Sequence, residues 1–141
     1  MRKVEKMTEA QLNWVEGLQF VGHAGKGPAI VMDNPEGGGG PTPMDLLLIS
    51  VAGCTAMDVT SILKKKRSPF ISIQLNVSGE RAEDHPKRYT AVTIEFVVTG
   101  HGVKPADVER AIELSATKYC GAIASINAPV KHTFRVVEPG A

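Results

Sequence analysis

One stretch constrains this chain of 141 residues more than any other. Thr42-Pro43-Met44-Asp45 opens it with a hydroxyl that can cap, a proline suited to the first helical turn and an acid at the capping-box position. Lys64-Lys65-Lys66-Arg67 closes it with cations that complement the negative end of a helix dipole, so the basic run reads as a helix terminus rather than a nucleic-acid contact. Between these signals the sequence predicts a helix over 43–67 whose middle is apolar nearly all round. A chain of this length makes one domain, 1–141, burying about 68% of its unfolded surface, and it rarely encloses such a helix by itself. Burial between two subunits is the economical solution. The longest apolar run, Leu46 to Met57, is broken by Ser50 and Thr55 and falls short of the ~20 residues of a membrane span.

The flanks read as strands and one more helix. Ala10, Leu12 and Trp14 alternate with polar residues; Leu18 and Phe20, then Ala29 to Met32, continue the pattern as two further short strands. Asp33-Asn34-Pro35-Glu36, four glycines (Gly37 to Gly40) and Pro41 predict a mobile loop, and no Gly-Lys-Ser/Thr follows to make it a phosphate cradle. Downstream, Ile71, Ile73, Leu75 and Val77 form one alternating strand and Val92, Ile94, Phe96 and Val98 another, joined by a polar hairpin-like connection. Pro105 opens a second helix with Val108, Ala111, Ile112, Ser115 and Tyr119 on one face, and Gly121 stands as its C′ residue. Val130 to Val137 is a last strand. The order strands, helix, strands, helix, strand defines an α+β domain.

Composition then removes several function classes. Sixteen Lys plus Arg against fifteen Asp plus Glu leave a formal charge of +1, and aromatics are 5%. Neither a nucleic acid nor an anionic membrane finds its electrostatic or stacking footprint here. The run Met1 to Lys6 has no apolar segment behind it, so no leader peptide is expected. Two cysteines with no CxxC and no Cys/His cluster at zinc spacing predict neither a disulfide scaffold nor a metal site. They fit a cytoplasmic chain whose thiols are reduced or redox-active.

Those two cysteines carry the chemistry. Cys54 follows Gly53 inside the apolar helix, where a glycine costs ~1 kcal/mol and so suggests a break or a close approach. A helix restarting at Gly53 would give Cys54 a dipole that favours the thiolate; an unbroken helix would make it an inert small hydrophobe. Cys120, at the end of the second helix, adds the possibility of a peroxidatic and resolving pair, although a spacing of 66 says nothing about proximity. Asp58 lies one turn after Cys54 on the same face, reads as a buried hydrogen-bonded acid, and opposes a neighbouring thiolate. His132 shares the apolar parity of Val130 and Phe134 and reads as a satisfied core histidine, whereas His85 and His101 read as solvated.

The segments Thr42-Pro43-Met44-Asp45-Leu46-Leu47 and Val51-Ala52-Gly53-Cys54-Thr55 resemble the Asn-Pro-Glu-Glu-Leu…Ala-Cys signature of the OsmC/Ohr family. Tyr119-Cys120-Gly121-Ala122-Ile123-Ala124-Ser125 resembles its second-cysteine segment, and the Met44-Asp45-Leu46 and Cys54-to-Val59 variants are most similar to the YhfA-like branch. The resemblance implies an intertwined homodimer with two central helices enclosed by sheets from both chains. It also implies a cofactor-free thiol peroxidase acting on organic hydroperoxides, with Cys54 and Cys120 catalytic and a dithiol such as dihydrolipoamide as reductant. Two positions depart from the family. Met44 stands where a glutamate is usual, leaving Asp45 as the nearest acid, either catalytic or only a helix cap. No arginine lies between Arg2 and Arg67, so the resemblance leaves His23 and Lys26, in the loop where the family's substrate-orienting arginine would fall, to supply positive charge, with Met44 as a further substrate-binding residue. These departures support an alternative, an OsmC-fold dimer that binds a small apolar ligand without turnover. A third reading is an assembly or stress protein with inert, buried thiols.

Overall fold

The computed structural model describes residues 7–140, so the Met1 to Lys6 run, expected to carry no leader, lies outside the described residues. The chain divides into two compact units, one ending at Leu47 and one beginning at Leu48.

In the N-terminal unit, β1 (Ala10–Glu16), β2 (Gln19–Ala24) and β3 (Ile30–Met32) form an antiparallel sheet in that order. Gly17, with φ at 52°, makes the tight β1–β2 turn, and Trp14 Nε1 donates to its carbonyl at 2.9 Å. The alternation predicted for β1 is real but uncovered: all seven residues are exposed, Trp14 to 66%. The glycine run forms neither helix nor strand, as its composition predicts, but one acid organises it. Asp33 is buried, and its carboxylate accepts the amides of Asn34 (2.7 Å) and Gly39 (3.1 Å) while its own amide donates to the Pro41 carbonyl (3.1 Å). A side chain at Gly37 would collide with that carboxylate. The glycines make room for an acid that organises the loop.

The C-terminal unit holds the core. β4 (Phe70–Arg81), β5 (Tyr89–Gly100) and β6 (Val130–Val137) form a second sheet in the order β4-β5-β6, the first pair antiparallel and the second parallel. A parallel pair needs a long crossover, and residues between β5 and β6 supply it as helix. Val92, Ile94, Phe96 and Val98 of the central strand β5 are almost wholly buried, each contributing about 1.5–3 kcal/mol of apolar burial. β4 departs from its predicted alternation at one place. A bulge between Phe70 and Ser72 drops Ile71 out of the ladder and exposes it.

Helix α1 (Pro43–Lys65) runs unbroken through Gly53. The capping box predicted at its start is present: Asp45 Oδ2 accepts the Thr42 amide and Thr42 Oγ1 accepts the Asp45 amide, both at 3.1 Å. At its end, Arg67 takes the left-handed position usually given to glycine, and the Arg67 and Ser68 amides close back onto the carbonyls of Lys64 and Leu63. One stripe of α1 is buried (Val51, Ala52, Thr55, Val59, Leu63), while Ile49 and Met57 stand exposed. The interruption by Ser50 and Thr55 does not make the helix short: at 23 residues it is long and apolar enough, by length and composition alone, to cross a membrane. Thr55, however, is fully buried against a protein hydroxyl, so this stripe is a protein interior.

Candidate functional site

The site begins with helical spacing on α1. Cys54 and Asp58 are four residues apart, one above the other on one face, and Thr55 and Asp58 are three apart. An unbroken helix denies Cys54 the helix terminus that a restart at Gly53 would have given it. A side chain at Gly53 would meet nothing within 4 Å among the described residues.

The second half comes from a deviation. Helix α2 (Pro105–Leu114) places Val108, Ala111 and Ile112 inward, as its periodicity predicts. From Ser115 to Tyr119 the chain widens into a π turn, and the Cys120 amide reaches back five residues to the Ser115 carbonyl at 2.8 Å. In a regular α-helix five residues turn through about 500°, which would throw position 120 well off the face of 115 and bring 119 inward instead. The π turn reverses this: Tyr119, predicted on the buried face, is 54% exposed, and Cys120 is buried in its place. Cys120 is not the last residue of a helix stopped by Gly121. It caps a further short helix, α3 (Gly121–Ala124), its sulfur accepting the Ile123 amide at 3.4 Å.

These two elements bring Cys54 Sγ, Cys120 Sγ and an Asp58 carboxylate oxygen within 4.8 Å of one another. Ser115 Oγ donates to Asp58 Oδ2 at 2.8 Å and pairs with Thr55 Oγ1 at 2.8 Å. Ser115 and Thr55 are both completely buried, so the acid is oriented by a sealed hydroxyl relay. Both cysteines are free thiols, Cys54 half-buried and Cys120 buried. Burial pushes the Cys120 thiol above its ordinary 9.0; the Ile123 amide opposes that rise and the adjoining Cys54 adds to it.

The remaining predicted residues fall elsewhere. Asp45 is exposed and committed to the capping box. On the continuous helix it is nine residues from Cys54, about 900° of turn and ~13 Å of rise away on the opposite side. The acid at the thiols is Asp58, which the sequence reading took as a hydrogen-bonded structural group. Met44 is half-buried in the first turn of α1, while His23, at the end of β2, and Lys26, in the turn after it, are exposed in the N-terminal unit. His132 stacks on Phe96, with ring centroids 6.3 Å apart, but its buried Nε2 has no hydrogen-bond partner among the described residues, so it is not the satisfied core histidine expected. Burial lowers its basicity below 6.5. His101 is exposed and meets Glu138 at 3.0 Å. Sequence reasoning missed Ser115 as the partner of Asp58 and Thr55 as the partner of Ser115. Their one signal was a serine on the apolar face of α2.

Comparison with known proteins places this geometry. The profile described as OsmC-like protein matches residues 36–135. Protein YhfA of Escherichia coli K12 is 39% identical over 131 residues, covering 92% of this chain and 98% of that one. The crystal structure of a hypothetical protein from Aquifex aeolicus superposes with a TM-score of 0.87 at 30% identity, over 96% of this chain and all of that one. The organic hydroperoxide resistance protein OhrB of Bacillus subtilis shares the fold at a TM-score of 0.60 and 14% identity, over 92% and 98% of the two chains.

Proposed function

The chain belongs to the OsmC-like protein family, and on that premise we propose that it is a cytoplasmic, thiol-dependent peroxidase reducing organic hydroperoxides through Cys54 and Cys120. The observation that carries this reading is the convergence of the two sulfurs, 66 residues apart in sequence, within 4.8 Å. Cys54, the less buried thiol, acts first as thiolate. It attacks the terminal oxygen of the O–O bond, the alcohol leaves with a proton from solvent, and Cys54 becomes a sulfenic acid. Cys120 attacks that sulfur, water leaves, and an S–S bond forms. An external dithiol such as dihydrolipoamide then takes the disulfide by exchange and is itself oxidised. Closing the bond to about 2.05 Å asks the sulfurs to approach by at most ~2.8 Å. The apolar residues around Cys54 favour an alkyl or acyl hydroperoxide over hydrogen peroxide.

The working form in this proposal is a homodimer. Support comes from apolar surface that one chain leaves open: Ile49 and Met57 on α1, and Leu12 and Trp14 on β1. In the absence of the family's arginine we assign positive charge for the substrate to His23 or Lys26, with Met44 as a lining residue. The test is turnover of cumene hydroperoxide with dihydrolipoamide. Activity lost in Cys54→Ser supports the proposal, and a wild-type protein without turnover overturns it.

One observation favours the alternative of an OsmC fold binding a small apolar ligand without turnover: an acid, Asp58, lies at the two sulfurs. A co-purified acyl ligand, with thiols that never pair, would select that reading.

A further inference from the structure

A carboxylate beside a thiolate is a handicap for a nucleophile, because it opposes the charge the reaction needs. For a cation it is a ligand. We infer that Cys54, Cys120 and Asp58 form a binding site for a thiophilic divalent cation of the Zn²⁺ type, with three donors from the chain and a fourth position open.

Geometry, donor type and support each argue for it. The three ligating atoms already lie within 4.8 Å of one another. Tetrahedral zinc, with Zn–S near 2.3 Å, needs sulfur–sulfur edges of about 3.8 Å, so ~1 Å of side-chain rotation completes the cage. Two sulfurs among three donors select zinc-like ions over Mg²⁺ and Ca²⁺, which take oxygen. Cys54 and Asp58 project from adjacent turns of a 23-residue helix, a rigid base for two of the donors. Ser115 holds one oxygen of Asp58 at 2.8 Å, and the carboxylate keeps a second oxygen for the metal. The Thr55–Ser115 pair behind it is sealed from solvent, and the Ile123 amide points at Cys120 Sγ from 3.4 Å. Such outer partners orient ligands and strengthen metal sites.

Binding breaks two S–H bonds and forms two metal–sulfur bonds, and two protons pass to the buffer with no change of oxidation state. The site therefore needs only reduced thiols and does not depend on peroxidase turnover. A hydroperoxide dismantles it: the two thiolates give two electrons to the O–O bond and become a disulfide. With two protons that bond yields alcohol and water, and the cation leaves.

The test is a titration of the reduced, full-length protein with Co²⁺. One equivalent per chain, a thiolate-to-cobalt charge-transfer band and its bleaching by one equivalent of Zn²⁺ are expected. Cys54→Ser removes the band, and Ser115→Ala weakens binding roughly 10–100-fold. A second arm needs no variant: Zn²⁺ protects both Cys54 and Cys120 of the native protein from N-ethylmaleimide. Absence of the band, unaltered alkylation of both thiols under Zn²⁺, or undiminished Co²⁺ affinity in folded Asp58→Asn overturns the assignment. Cobalt binding without hydroperoxide turnover refutes the peroxidase proposal alone, and turnover without cobalt binding refutes this one alone.

Discussion

The two cysteines sit in opposite kinds of structure. Cys54 is half-buried in the middle of a regular helix of 23 residues, with no irregularity at Gly53. Cys120 is buried at a seam, between a π turn and a helix of four residues, and burial raises its thiol. A long helix holds its side chains still, whereas a seam between two short helical pieces can rearrange without unfolding anything large. In the proposed peroxidase cycle this difference suits the half-buried sulfur, fixed on a long helix, to the attack and the buried one to the second step. The largest predicted effect breaks this asymmetry directly. Cys54→Ser abolishes hydroperoxide consumption. Cys120→Ser still consumes one equivalent per chain and then stops, with Cys54 trapped as sulfenic acid. Stopped-flow consumption with dimedone labelling reads both, and equal loss in the two variants would erase the distinction.

A second experiment moves the thiol by one residue. Cys120→Ala combined with Tyr119→Cys puts a sulfur where a regular α-helix would have faced α1. The π turn predicts that this protein fails to form an intramolecular disulfide under diamide while the parent forms it. Cross-linking in the shifted variant would mean that the α-helical register holds in solution.

That same turn marks where the sequence stops being legible. The α+β order, the β5 alternation, the start of α1 and its capping box were readable, because each rests on period, cap or turn chemistry confined to a few neighbours. The inward face of α2 was readable as far as Ser115 and wrong at Tyr119, since one added residue in a helical turn leaves no compositional mark. The glycine run was legible as a loop, but what organises it was not, for a related reason. Glycines look like absence of structure, and the carboxylate they accommodate at Asp33 shows only once the loop is folded. The approach of Cys54 to Cys120 is a property of tertiary packing, invisible in a spacing of 66. Asp58 is legible as an acid one turn from Cys54, and Ser115 as a serine on the α2 face, but their pairing across 57 positions is not.

Ser115 is the hinge between the two regions, and its loss has an intermediate effect. Ser115→Ala strands an oxygen of Asp58 and the Thr55 hydroxyl in a buried setting, at a predicted cost of about 1–3 kcal/mol in urea unfolding. Thr55→Val tests the relay from the other side and should cost less, because Ser115 retains Asp58 as its partner.

Two groups of the C-terminal unit, Cys120 and His132, respond to pH in opposite directions. Burial favours the protonated Cys120 thiol in the fold, so the unfolded chain loses that proton first as pH rises. The native state then binds more protons than the unfolded one, and stability falls as pH climbs through 9.0 and above. His132 acts in the other direction. Its lowered basicity means the unfolded chain gains the proton first, so its contribution is complete above 6.5 and declines as pH falls below that value. Cys120→Ala should flatten only the alkaline edge of a stability-against-pH curve, and His132→Phe only the acid edge. A variant that flattens both, or neither, would show that other groups set the curve.

The smallest effect separates two acids on one helix. Asp45 and Asp58 both lie on α1, yet Asp45 completes a solvent-exposed cap and Asp58 lies at the sulfurs. Removing the first costs the Thr42 amide its acceptor and the helix N-terminus its negative charge. Asp45→Ala is therefore expected to lose about 0.5–1 kcal/mol of stability. Helical geometry puts Asp45 across the helix from Cys54, so turnover per folded molecule should stay at the parent level. Asp58→Asn, of nearly the same volume, should instead change the rate of Cys54 alkylation, because it removes a negative charge from the immediate surroundings of the thiol. Measured side by side, the pair distinguishes a carboxylate that starts a helix from one that shapes a site. A loss of turnover in Asp45→Ala beyond its loss of folded protein would return Asp45 to the chemistry, with the partner chain's thiol as its target.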